Sequence, residues 1–415
     1  MFPVLTVLYP KLARVAAQYR LDRVGASELN AASLNEQGAH FAWESAFTGL
    51  WASPWRAADY SEIHLDADIP LALRKYYYAT GDEGFLTSAW PLLNATCRFW
   101  ECRFTRVDSA GSAPPGYPSG CSPKNGVGNW TVRGVISPDE SSSIVNDSAY
   151  TNAAGGETLR WCLEAAEYLG IPPNSLPPLW SSIISNIYLP LSSTLYALGT
   201  VHPQQTGYSG HTINQADVAL LQYPLGLDFG REQNQRDLDY YASKTDFSGM
   251  FTGDSSYACG YLALGNRSAA DAQLGIAFGH ISKDFYVFTE TQTTFSVPPS
   301  TSGTQHFITG SGGLLQAFVF GYSGMRISRK GALSFTAMQP VIPPLGITAM
   351  KLRGLHLLGQ AFDMWYNSTS ACVQLHARGD AGALFLTFSG KSLPIFQAPL
   401  CIPLQPFEVA GKGFL

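Results

Sequence analysis

Amphipathic helical segments separated by polar, glycine-bounded loops fill the chain up to about residue 323 and then stop, and this change of period limits the folds open to it. Residues 4 to about 35 carry Leu5, Leu8, Leu12, Val15 and Ala16 at the spacing of one apolar helix face. A glycine-bounded loop, GAHFAWESAFTG, follows at 38–49. IHLDADIPLALRKYYYATGDEGFL reads as a helix stopped at Gly81, and FLTSAWPLLNATCRFWECRF as the next. TNAAGGETLRWCLEAAEYLG, INQADVALLQYPLGL, AADAQLGIAFGHIS and GGLLQAFVFGYSG continue the series. After Gly324 the apolar runs shorten and lie between Gly, Pro and Asp turns, which is strand chemistry. The expectation is a mainly α domain over 1–323 and a small β domain over 324–415.

Two Gly/Pro/Ser-rich stretches interrupt the helical rhythm, at 108–130 and 291–306. Each lies beside an acidic residue: Glu140 in GVISPDESSSIVNDSAYTN and Glu290 in DFYVFTETQ. Long loops near acidic residues are natural substrate-shaping elements, although residues 108–130 fit a tolerated insertion equally well. Two distant carboxyl groups that converge can cleave a glycosidic bond, one protonating the leaving oxygen while the other activates water or attacks carbon. Spacing alone does not select this pair among 31 acidic residues.

A chain of 415 residues accommodates two or more domains with full cores. Its charged content is 14% and its aromatic content 13%. That combination suits a surface on which sugar rings stack, and a large core accounts for it too. A net charge of −5 argues against a nucleic-acid partner. No apolar run reaches the roughly 18 residues of a membrane span, and nothing in the sequence fixes the oligomeric state. The start of the chain lacks the basic, apolar and cleavage regions of a signal peptide. Cys97, Cys102, Cys121, Cys162, Cys259, Cys372 and Cys401 are scattered without zinc spacing. Their odd count favours free thiols, or at most one or two bridges. Glycosylation sequons begin at Asn94, Asn129, Asn146, Asn266 and Asn367. They are compatible with a secretory or lysosomal protein, and a cytoplasmic one fits as well.

The wording around the glutamates is more specific. GAHFAWESAFTG, GVISPDE with VNDSAYTN, NQADVALLQYP, and VFTETQ followed by HFITGSGGLLQAFVFGYSGMRI occur in that order. Together they resemble the successive motifs of glycoside hydrolase family 65 over nearly the whole chain. The resemblance implies an (α/α)6 toroid followed by a β-sandwich, inversion at the anomeric carbon, and no metal or organic cofactor. By position, Glu140 matches the general acid and Glu290 the general base of the hydrolytic members. The family's phosphorylases have no base there, so Glu290 favours water over phosphate. Inversion places the carboxyl groups about 6.5–9.5 Å apart. The implied partner is a carbohydrate or glycopeptide. The glucosyl-galactosyl-hydroxylysine unit of collagen-like proteins comes first, with trehalose or a kojibiose-type disaccharide as one alternative and a catalytically inactive fragment or pseudoenzyme as another.

Trp43 offers a stacking platform, and Glu44 and Gln215 offer hydroxyl partners, with Asn214 beside them. Trp43 fits a core position equally well, and Glu44 a helix cap or an arginine partner. Asp139 and Asp217 read as structural, and His64 as a buried, hydrogen-bonded ring. Thr289 and Gln305 are candidate donors to Glu290. The chain departs from the family where Ser141, Ser142 and Ser143 follow the acid, where Asn214 replaces Lys, and where Phe288 replaces Trp. The family's W-D-x-E segment, whose Asp holds the glucosyl unit, lies immediately upstream of the MFP stretch. The expectation is therefore a C-terminal portion with an N-terminally incomplete toroid and an exposed apolar flank, which alone aggregates or is inactive.

Overall fold

Proline and left-handed glycine positions punctuate the helices in a computed structural model that describes residues 2–108, 120–141, 143–247, 249–282, 286–292, 304–338, 346–376 and 384–414. Residues 109–119 and 293–303, most of the two loops expected beside Glu140 and Glu290, lie outside the described residues, as do Met1 and Ser142. The first expected helix is three: α1 Phe2–Leu8, α2 Pro10–Leu21 and α3 Val24–Ser33. Pro10 has no N–H to continue α1 and instead starts α2. The restart also changes the buried face. Ala13 and Ala17 pack inward, while Leu12 and Val15 are 56% and 68% exposed.

α4 (Arg56–Ser61) leads into α5 (Leu65–Thr80), α6 (Glu83–Arg103) and, beyond short strands, α7 (Ala149–Tyr168). α5 stops at Gly81, whose left-handed backbone (φ 64°) lets its N–H bond the Tyr77 carbonyl. α6 is capped by Asp82, which accepts from Phe85 N–H. α6 and α7 pack so closely that a Cβ on Gly155 would lie 2.5 Å from Trp100. The intervening strands are β1 Thr105–Arg106, β2 Trp130–Thr131, β3 Arg133–Val135 and β4 Val145–Asn146, paired antiparallel as β1–β2 and β3–β4. The helices α8 Pro178–Ser185, α9 Ala219–Gln222, α10 Arg231–Ala242, α11 Asp254–Ala263, α12 Arg267–Phe278 and α13 Ile308–Gln316 follow, and α13 runs into a π-helix, Ala317–Tyr322.

INQADVALLQYPLGL contributes only the four residues of α9. Its periodicity is helical, but its backbone is claimed elsewhere. Ile213 N–H bonds Lys244 O, and Asn214 and Gln215 N–H both reach the Asp139 carboxylate.

The remaining chain forms two antiparallel sheets. β5 Met325–Arg329, β6 Ala332–Phe335, β10 Leu384–Phe388, β11 Lys391–Pro394 and β13 Phe407–Gly411 assemble in the order β11-β10-β13-β6-β5. β7 Ala349–Leu357, β8 Gln360–Asn367, β9 Ser370–Leu375 and β12 Leu400–Pro403 assemble as β12-β9-β8-β7. The protein is thus helix-rich with a sheet-rich C-terminal part. α5 carries the junction: Gly331 N–H bonds Tyr78 O and Leu358 N–H bonds Ala79 O, each at 2.7 Å. No described helix is long and apolar enough to cross a membrane.

The cysteine expectation was too low. Three pairs are bonded, Cys97–Cys162, Cys102–Cys121 and Cys372–Cys401, leaving Cys259 as a buried free thiol. Linear spacing could not reveal them. α6 against α7 brings the first pair together, and the β9–β12 register sets Cys372 opposite Cys401. Such bridges belong to oxidising surroundings. The Cys97–Cys162 bridge closes 65 residues, a loop for which chain entropy gives up to about 4 kcal/mol. Cys97→Ala/Cys162→Ala is expected to lose stability on that scale in denaturant titration. A non-reducing peptide map that shows no Cys97–Cys162 link would refute the pairing.

Candidate active site

The β3–β4 hairpin presents the first glutamate. Its connecting residues, SPDE, are fixed by Asp139, which is fully buried. Asp139 accepts from Asn214 N–H at 2.9 Å, Gln215 N–H at 3.3 Å, Gln204 Nε2 at 3.0 Å and the Ser141 hydroxyl. One structural carboxylate therefore ties the Glu140 loop to the NQAD loop, and Ser141 helps to satisfy it. Asp217 is also buried, and burial together with the Asp139 charge pushes its carboxyl up to about 8. Its charged form is thereby disfavoured.

The second glutamate lies on the segment between α12 and α13. Its N–H donates to Thr304 O at 2.9 Å, and its carbonyl accepts from Phe251 N–H at 2.6 Å. Thr304 N–H donates to the Glu290 carboxylate at 2.9 Å. The donor is thus a backbone amide rather than the side chains of Thr289 or Gln305. Thr289 spends its hydroxyl on the His280 and Thr291 carbonyls. Phe288, which stands where the family has Trp, stacks on Phe251 with ring centroids 5.8 Å apart.

A cavity of about 830 Å³ is lined by Trp43, Glu44, Glu62, Glu140, Gln215 and Glu290, among other described residues. Five of the six residues singled out from the sequence thus share one space. The sixth, Asn214, is not among those lining it and is exposed, while its N–H holds Asp139. Burial raises the Glu140 carboxyl, and the charges of Asp139 and Glu290 raise it further, against hydrogen bonds from Gln215 and Glu62. Glu140 thereby keeps its proton to higher pH than an ordinary glutamate. Trp43 is half-buried and meets Trp55 edge-on at 5.6 Å. Glu44 is exposed.

A buried ionic network lies behind the Trp43 loop. Arg103 bonds Glu36 at 2.8 Å, Glu36 bonds His40 at 2.8 Å, and Asp66 accepts from Phe41 N–H at 2.7 Å. Burial works to raise the Glu36 carboxyl, but Arg103 and His40 outweigh it and hold Glu36 below its ordinary range. Burial lifts Asp66 to about 7.

His64 also lines the cavity. Burial pushes its ring down to about 4, so it is neutral, and it lies edge-on to Tyr150 at 6.1 Å. Sequence reasoning overlooked Glu62 and Asp68, both on the cavity wall, with Asp68 bonded by the Tyr150 hydroxyl at 2.9 Å. Both belong to EIHLDAD, whose apolar period drew attention to the helix and away from its acids.

Residues 1–115 match the Glycosyl hydrolase family 65 central catalytic domain. The chain is 32% identical over 378 residues to protein-glucosylgalactosylhydroxylysine glucosidase of Danio rerio, covering 90% of this chain and 52% of that protein. It is 31% identical over 336 residues to kojibiose hydrolase of Flavobacterium johnsoniae, covering 80% of this chain and 44% of that protein. The chain spans about half the length of the curated relatives it matches. In fold it is similar to a solved structure described as a putative kojibiose phosphorylase from human microbiome, with a TM-score of 0.73 and 14% identity, covering 97% of this chain and 58% of that one. By the match of residues 1–115 and by these relatives, the chain is similar to glycoside hydrolase family 65.

Proposed function

We propose that the protein carrying this chain is an inverting α-glucosidase, with Glu140 as general acid and Glu290 as general base. The observation that carries this reading is that both carboxyl groups line one cavity together with Trp43, Glu44 and Gln215. Glu140, raised, donates its proton to the glycosidic oxygen. Glu290, given a hydrogen bond by Thr304 N–H, receives the proton of the attacking water. Trp43 stacks on a sugar ring, and Glu44 and Gln215 serve its hydroxyls. In this reading the helices of residues 1–323 are part of an (α/α)6 toroid, and 324–415 is a separate β-sandwich domain. The favoured substrate is the glucosyl-galactosyl-hydroxylysine unit, because the Danio rerio relative is named for it. The Flavobacterium relative supports a kojibiose-type disaccharide as the second reading.

The test is glucose release from glucosyl-galactosyl-hydroxylysine, kojibiose and trehalose by the intact protein carrying this chain. Release without phosphate, appearing first as β-glucose in the proton NMR spectrum, is expected. Release of glucose 1-phosphate would make it a phosphorylase. Silence from folded protein on all three sugars would make it a non-catalytic relative.

A further inference from the structure

Glu62 has no part in the two-carboxylate scheme, yet it is 2% exposed and lines the same cavity. It follows α4 immediately and shares the cavity wall with Trp43 and Glu140. Among the described ion pairs none reaches it, and its Oε1 is buried without a partner. A carboxylate so placed, next to another carboxyl group and without a cation, is costly to ionise. We propose that Glu62 is a positioning residue that hydrogen-bonds Glu140 as a carboxylic acid and steadies the carboxylate left after proton transfer. This rests on the reading of Glu140 as general acid.

Burial pushes Glu62 up to about 8, with Glu140 adding to the effect, so at pH 7 it keeps its proton. Asp139 and Glu290 add negative charge on the Glu140 side. The other ionisable groups on the wall are Glu44, His64, Asp68, Arg74 and Lys75. In the reaction the Glu140 proton passes to the glycosidic oxygen, which keeps the electron pair of the breaking C–O bond. Water bonds to the anomeric carbon and yields its proton to Glu290. Glu62 retains its own proton throughout, and its O–H bond to Glu140 strengthens as Glu140 becomes negative.

The test compares pH profiles of kcat/KM for the intact wild-type protein and its Glu62→Gln, Glu62→Ala and Glu140→Gln variants. Each is assayed on the preferred glucoside and on α-glucosyl fluoride, whose leaving group needs no acid. Glu62→Ala is expected to lower kcat on the glucoside about 10–100-fold, the range of one hydrogen bond to a charged group. Its KM should stay within about twofold, its basic limb should move to higher pH, and its loss on the fluoride should be much smaller. Glu62→Gln, whose amide still donates, should recover most of the activity and the wild-type limb.

A raised KM with an unmoved limb would overturn the proposal in favour of a sugar contact. Equal losses on both substrates with a lowered Tm would overturn it in favour of a purely structural role. An inactive Glu140→Gln beside an unaffected Glu62→Ala would sink the Glu62 role alone. A fully active Glu140→Gln would remove the acid assignment itself.

Discussion

Glu140→Gln is expected to lower kcat on an O-linked glucoside by about 10²–10⁴-fold, the usual share of a positioned general acid. The amide has nearly the same shape and leaves the loop intact, because the fold of SPDE is fixed by Asp139 through Asn214, Gln215, Gln204 and Ser141. What is lost is the proton. α-Glucosyl fluoride, whose leaving group needs none, should therefore be cleaved by the variant far better than the glucoside. Glu290→Gln should lose both substrates, because each requires an activated water. The pH profiles separate the roles again. Burial, Asp139 and Glu290 raise Glu140, so activity should fall on the alkaline side as its proton is lost, and Glu140→Gln should remove that dependence. Equal damage to the fluoride and the glucoside by Glu140→Gln would contradict an acid role.

Arg103→Met is expected to destabilise the fold by about 3–5 kcal/mol, the cost of leaving one member of a buried ion pair uncompensated. Arg103 and Glu36 are both wholly buried at the side chain and 2.8 Å apart. Arg103 also donates to the Arg133 carbonyl at 3.1 Å, so the β3 strand loses a partner as well. Because Arg103 and His40 hold Glu36 below its ordinary range, this pair stabilises the fold above the unfolded carboxylate pKa of about 4.3 and loses that effect as pH falls through the lower folded value. Without Arg103, burial dominates and Glu36 takes a proton more readily. The deficit of Arg103→Met should therefore be largest at alkaline pH and shrink as the medium is acidified. Adding Glu36→Leu removes the orphaned charge and should recover much of the loss. Urea titrations of the single and double variants at several pH values measure both effects. A deficit that is independent of pH and unrelieved by Glu36→Leu would assign Arg103 a packing role alone.

The network matters for the site because it supports the loop that carries Trp43 and Glu44. His40 and Phe41 sit in GAHFAWESAFTG, and Asp66 fixes Phe41 N–H from the first turn of α5. A change at Arg103 should therefore reach the cavity through the Trp43 loop. No property of Arg103 in the linear chain suggests this, since FWECRF reads simply as the end of a helix.

The helical and strand periods, the stop at Gly81 and the order of the motifs are local properties, and the sequence alone determined them. Side-chain spacing sets which faces are apolar, and a left-handed glycine ends a helix wherever it occurs. The two glutamates stood out because the residues beside them repeat a recognisable wording, and both line one cavity. Interactions between distant segments decided the rest. NQADVALLQYP has a helical period but mostly forgoes a helix, because its amides satisfy the buried Asp139, 75 residues away from Asn214. The three disulfides depend on which helices and strands become neighbours. Glu62 looks like any acid at a helix start until folding buries it beside Glu140. Burial and proximity set a carboxyl group's proton affinity, and neither is a property of the chain until it has folded.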